Sequence, residues 1–209
     1  MATALPIPLT PFPWGDIAII LALIALNGVL AMSELAIVSA RRARLESITK
    51  KSQLRGAKTA LLLASNPGRF LSTVQIGITL IGIIAGAYSG ASLGGPVAER
   101  LLLLGVPAQW SDDISFTLVV GLTTFTSLIV GELVPKQFAL RAPEPIAVVM
   151  AMPMVVLSRV TAPLVWLLDR TSALIFRILG MNRESENHVT AEELHLIVAE
   201  ASKSGVIEE

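Results

Sequence analysis

The chain has 209 residues, of which 53% are hydrophobic and only 15% charged, with a mean hydropathy of +0.70. An ordinary soluble domain carries roughly 25% charged residues, so this composition excludes a disordered tail, a coiled coil and a typical soluble enzyme. The 16 basic and 16 acidic residues cancel, which speaks against nucleic acid as a partner, and the absence of cysteine removes disulfides, thiolate metal sites and cysteine nucleophiles.

The chain opens on a proline-rich stretch, residues 6–13, with no Lys or Arg before the first apolar run. That is not a secretory leader, so the first apolar segment is expected to stay as an anchor. A span is predicted over 17–40, where Glu34 is the only charge. Seven basic residues (Arg41, Arg42, Arg44, Lys50, Lys51, Arg55 and Lys58) follow with a single acid, Glu46. This 41–66 segment reads as interfacial helices against anionic lipid on the cytoplasmic side. A second span is predicted over 70–94, in a window without charge, and a third over 114–138, where Glu132 is the only acid before Lys136. Each window exceeds the ~20 residues that cross a ~30 Å hydrocarbon core.

The stretch 146–180 is apolar but carries Arg159 and is punctuated by Pro153 and Pro163. It reads as interfacial or re-entrant helices, with a true span as the alternative. Three spans place the N-terminus outside and the C-terminus in the cytoplasm of a cell-membrane protein. A fourth would put Arg170, Arg177 and Arg183 outside, against the positive-inside rule. Residues 1–183 thus form a membrane domain. Residues 184–209 form an acidic linker helix opened by a Thr190/Glu193 capping box, expected to lead into a further soluble module. The fold class is all-α: three transmembrane helices, juxtamembrane helices and a C-terminal cytoplasmic helix.

An ionisable group inside a membrane helix is costly and faces a cavity or a partner. Glu34 and Asn27 are seven residues apart on one helix face, with Ser33 beside them. Glu34 equally suits a pair with Arg41 or Arg42. Thr124, Ser127 and Gly131 form a stripe leading to Glu132, and Pro135 denies a donor to a carbonyl near Gly131. A freed carbonyl beside a carboxylate suits a hard cation. The alternative is an i, i+4 pair between Glu132 and Lys136. Gln75, Thr79, Gly82, Gly86 and Gly90 lie along one side of the second span, either as close packing or as the wall of a site. His188 and His195 have no accompanying ligand cluster, so a zinc site is not expected. No phosphate loop or nucleophile elbow is present, and no enzymatic constellation is visible.

Several pieces together resemble the transmembrane domain of the CorC/CNNM family: Ser33-Glu-Leu-Ala-Ile-Val-Ser39 with the Arg-rich run after it, Ser72-Thr-Val-Gln-Ile-Gly-Ile-Thr79, and Gly131-Glu-Leu-Val-Pro-Lys136. The resemblance extends from about Ile17 to Glu209. It implies three spans, a belt of juxtamembrane helices, a homodimer in the bilayer and a CBS-domain pair beyond this chain. It also implies divalent-cation transport, usually magnesium (Mg2+) export coupled to sodium (Na+) entry, with no organic cofactor. The metal site it implies involves Asn27, Ser33, Glu34, Thr79, Gly131 and Glu132. Magnesium-binding members commonly carry Ser or Asn at the positions of Ala31, Ile78 and Gly82, so the oxygen set here is depleted. Magnesium demands six oxygens near 2.0–2.1 Å. The expected function is therefore a cation-transport domain, most readily for magnesium. Export of another cation such as a diamine, or a non-transporting sensor or scaffold, are the competing readings.

Overall fold

The structure is a computed structural model that describes residues 10–52, 54–65 and 67–180. Among these residues it is entirely helical. Seven α-helices and one π-helical turn follow in chain order: α1 (Trp14–Ser39), α2 (Arg42–Ser52), α3 (Arg55–Ser65), α4 (Gly68–Leu103), α5 (Ala108–Leu128), the π-turn (Ile129–Leu133), α6 (Val134–Arg141) and α7 (Pro143–Ile178). Residues 184–209, including the predicted linker helix, its capping box and both histidines, lie outside the described residues.

Four stretches are long and apolar enough to cross a bilayer: Trp14–Ser39, Phe70–Leu103, Ala108–Arg141 and Pro143–Ile178. Their outward faces are what lipid would meet. Leu122 is 62% exposed and Phe125 is 60% exposed, where a soluble protein would hide such side chains. Apart from Asp16, Asn27, Ser33 and Glu34, α1 carries apolar or small residues on every side, as a span surrounded by helices and lipid should.

The first two predicted spans match α1 and α4, although α4 continues well past 94 to Leu103. At about 1.5 Å per residue its 36 residues reach about 54 Å, longer than the hydrocarbon core. The third is longer than predicted and interrupted: α5 passes through the π-turn into α6 without leaving the helical path. The 41–66 segment is two short helices, α2 and α3. The largest difference lies in 146–180. The prolines led the sequence reading to broken helices, but α7 is one 36-residue helix with Pro153 and Pro163 inside it. Each proline forfeits one backbone hydrogen bond. Where water is scarce, every other backbone group still needs its helical partner, so the helix continues through.

The chain divides into two compact units, the first ending at Val165 and the second beginning at Trp166. In the first unit α1 is central, packed on α4, the π-turn and α6, while α4 lies along α5. Its core gathers at the end that carries the basic segment. There Ile37 of α1, Leu45 of α2, Ala60 of α3 and Phe70 and Val74 of α4 are essentially fully buried against Ala147, Ala151 and Met154 of α7. Gly56 of α3 crosses α7 so closely that a Cβ would strike the Val148 carbonyl. Glu144 is buried, facing Arg44 at 3.6 Å and accepting the Arg41 N–H at 3.5 Å.

At the other end of this unit the segment before α1 is fastened to α4. The Thr10 amide and hydroxyl both donate to Glu99 at 2.8 Å, and the Arg100 guanidinium sits 4.9 Å from the centre of the Phe12 ring. Tyr88 donates to Asp16 at 2.6 Å, and Ser115 of α5 donates to the Gly94 carbonyl of α4. Gly105 turns the chain between α4 and α5 with φ +91°, a conformation open to glycine at no steric penalty. In the second unit the Arg170 guanidinium covers the Trp166 ring at 5.4 Å.

Candidate functional site

Two glycines let α1 approach the π-turn closely. A Cβ at Gly28 would lie 3.0 Å from Pro135 Cγ and 3.3 Å from the Val130 carbonyl oxygen. One at Gly131 would lie 3.1 Å from the Ile24 carbonyl oxygen and 3.4 Å from Asn27 Nδ2. Any other residue at either position would push the two segments apart.

The local chemistry of the turn follows from Pro135. In an α-helix the carbonyl of residue 131 would accept from the N–H of residue 135, which proline lacks. The chain widens instead, and the Val134 N–H bonds back to the Ile129 carbonyl, the five-residue spacing of a π-helix. The orphaned Gly131 carbonyl is taken by the side chain of Asn27, whose Nδ2 donates to it at 3.1 Å. Asn27 is 4% exposed, and its Oδ1 has no hydrogen-bond partner. An unpaired buried oxygen forfeits about 1–3 kcal/mol, so here is an acceptor awaiting a donor or a cation.

That residue borders a cavity of about 260 Å³ between α1, α4 and α5. Its polar walls are Asn27, Thr79, Thr123, Thr124, Ser127 and Glu132. Ile78, Ile83 and Leu128 supply the apolar part, and Gly82 and Gly86 the floor of α4. A Cβ at Gly82 or Gly86 would meet nothing within 4 Å. The glycine repeat on α4 therefore has two uses. Gly90 packs, since its Cβ would enter the Phe116 ring at 2.6 Å, whereas Gly82 and Gly86 leave space.

Of the six residues the sequence nominated, the structure brings four together. Asn27, Thr79 and Glu132 line the cavity, and Gly131 is tied to Asn27 behind it. Ser33 stands apart: it is fully buried and donates to the Val29 carbonyl of its own helix at 2.6 Å, a common habit of serine in membrane helices. Glu34 does not line the cavity. The expected pairing of Glu34 with Arg41 or Arg42 is not among the ion pairs of the described residues; Arg42 is bound to Glu46 at 3.1 Å. Glu34 instead lies within electrostatic reach of Lys136 and Glu132. The Glu132–Lys136 pair is formed, at 2.7 Å, with both side chains about one third exposed. Among the described residues no group of three or more acids and histidines is placed to hold a metal.

Sequence reasoning missed Thr123 and Glu144. Thr123 lines this cavity and also a second, almost wholly apolar one of about 250 Å³ nearer the Phe12 end. The signal for it was Thr124 and Ser127 nearby, but a lone threonine in an apolar helix carries little information. Glu144 was hidden between Pro143 and Pro145, and its burial depends on arginines about a hundred positions away.

A helical bundle with apolar flanks and a polar, acid-bearing cavity between its long helices is a multi-pass membrane protein. The chain belongs to the CorC/CNNM family: the Cyclin M transmembrane N-terminal domain matches residues 18–209. It is 43% identical to the UPF0053 protein sll0260 of Synechocystis, over 93% of this chain and 43% of that protein. It is 32% identical to the UPF0053 protein YhdP of Bacillus subtilis, over 92% of this chain and 44% of that one. Likeness to the polyamine export protein of Escherichia coli is 28%, over 92% of this chain and 43% of the other. The chain thus spans less than half the length of these relatives.

Proposed function

We propose that this domain carries a cation out of the cell through the cavity between α1, α4 and α5, and that the cation is an organic ammonium ion, a diamine or polyamine. The observation that carries this reading is the composition of the cavity wall. One carboxylate, Glu132, and a few hydroxyls share it with Ile78, Ile83 and Leu128. Methylenes between charged nitrogens suit such walls, whereas a dehydrated magnesium ion needs six oxygens. About 260 Å³ is several times the roughly 30 Å³ of one water, which leaves room for a chain of atoms. The polyamine export protein of Escherichia coli, a relative, agrees with this class of cargo.

Magnesium export coupled to sodium entry is the second reading. It is favoured by the unpaired, buried Asn27 Oδ1, a hard oxygen on a side chain that borders the cavity. Asn27, Thr79, Gly131 and Glu132 would then be the ligands, with Glu34 a second charge and Ser33 reaching the ion only after leaving the Val29 carbonyl.

In this proposal α1, α4 and the α5–α6 run are the three spans, with the N-terminus outside. α7 lies at the cytoplasmic interface because its first half is fastened to the basic helices. Thr59 donates to the sulfur of Met152 at 3.4 Å and Glu144 faces Arg44. The working unit is a homodimer, and the family resemblance implies a CBS pair beyond this chain. The domain acts as a carrier rather than an enzyme, sensor or scaffold.

Calorimetric titration of the purified protein with putrescine, spermidine and magnesium tests the cargo. The expected result is saturable polyamine binding, weakened about 10- to 100-fold in Glu132→Gln, the scale of a charged hydrogen bond. Magnesium binding with no polyamine binding would reverse the order of the two readings.

A further inference from the structure

The Glu132 carboxylate that a transported cation must reach is already occupied. Lys136 Nζ lies 2.7 Å from Glu132 Oε1, one helical turn away. Among the described residues, the only carboxylate on the cavity wall is thus neutralised by the protein's own primary ammonium, carried on a four-carbon aliphatic stem. In chemical terms Lys136 is a tethered alkylammonium, the same class of group that a polyamine would present.

We propose that Lys136 is a built-in competitor of the transported cation, holding Glu132 when no cargo is bound and giving it up when cargo arrives. This rests on the reading of the cavity as a cation path. Three features fit it. The pair is one third exposed, so it is not locked in the interior. A pair in that setting is worth little, roughly 0–1 kcal/mol, so a divalent or polyvalent cation can displace it. The displaced ammonium also has somewhere to go, because Glu34 of α1 lies within electrostatic reach of Lys136. Exchange of one lysine between a carboxylate on α1 and one on the π-turn would couple cargo binding to the seam between those two segments.

A competitor and a mere structural brace differ in the sign of their effects. Removing the ammonium in Lys136→Met frees Glu132 and should tighten cation binding, by roughly twofold to fivefold. Lys136→Arg keeps the charge and grips the carboxylate through a planar fork. It should weaken binding by roughly twofold to fivefold. A brace predicts weakened or unchanged binding in both.

The test is calorimetry of the full protein in lipid nanodiscs with putrescine, spermidine and magnesium, alongside thermal unfolding. Lys136→Arg keeps the pair and guards against a folding failure in Lys136→Met. Opposite shifts in the two variants support the proposal. Saturable wild-type binding with Lys136→Met no tighter, or with Lys136→Arg as tight as wild type, overturns it and leaves the transport reading standing. No saturable binding of any of the three cations by wild type and both variants overturns the transport reading and the competition with it.

Discussion

Two seams run through the first unit, and glycine makes both of them for opposite reasons. Along the first, α1 meets the π-turn, and Gly28 and Gly131 allow backbone to touch side chain and carbonyl at van der Waals distance. Along the second, α4 faces α5, and Gly82 and Gly86 have nothing in front of them. The closed seam fixes Asn27 to the Gly131 carbonyl. The open seam leaves the space those fixed groups look into. Absence of a side chain is a packing device on one side and a volume device on the other. A glycine count alone does not distinguish them.

The comparison breaks most readily at the closed seam. Gly28→Val places methyl groups where Pro135 and the Val130 carbonyl already stand. Overpacking of that kind destabilises by about 1–3 kcal/mol, and thermal unfolding in detergent should show a lower midpoint. Polyamine or magnesium binding should fall with it, because Asn27 and Glu132 separate.

Asn27→Leu keeps the bulk and removes the hydrogen bond. The Gly131 carbonyl, already denied a donor by Pro135, is then left unpaired and buried. The expected loss is about 1–2 kcal/mol, partly offset by removal of the unpaired Oδ1. The same unfolding experiment reads it, and Asn27→Asp separates the two oxygens' roles by titration with magnesium.

The smallest effect belongs to the open seam and has the opposite sign. Gly82→Ala adds a methyl that meets nothing and improves helix propensity by up to about 1 kcal/mol. The protein should be as stable or slightly more so, while cation affinity measured by calorimetry falls by roughly twofold to threefold as the cavity narrows. Lower stability in Gly82→Ala would mean that α4 is packed there after all.

Most of the architecture is written in apolar run length and in the places where charge interrupts it. The windows around Glu34 and Glu132 located α1 and the α5–α6 run, because a bilayer imposes length on a helix more strictly than a soluble core does. The Gly131–Pro135 spacing pointed to the freed carbonyl, since a missing N–H is a local fact. What was not legible depended on distant partners. Asn27 as the group that takes the carbonyl and Glu144 as a buried acid are both settled by tertiary contact. For Ser33, periodicity gives the face of the helix and not the rotamer, and its hydroxyl turns back to the Val29 carbonyl. The continuity of α7 through Pro153 and Pro163 was not legible, because proline in a sequence reads as a helix break.

The π-turn sets the phase of everything after it. An extra residue in a helical turn rotates the following residues by about 100° relative to a continuous α-helix. Residues 134–141 therefore present a different face to α1 than the α5 register would have presented. The side chains of α6 that meet α1 are set by that offset, whereas the i, i+4 pair of Glu132 and Lys136 would face each other in an ordinary helix as well. Deleting one residue between 129 and 133 would leave the length of the segment almost unchanged and turn the lysine away toward another side. This single widened turn works as a dial, in which one codon gained or lost decides which side chains look inward.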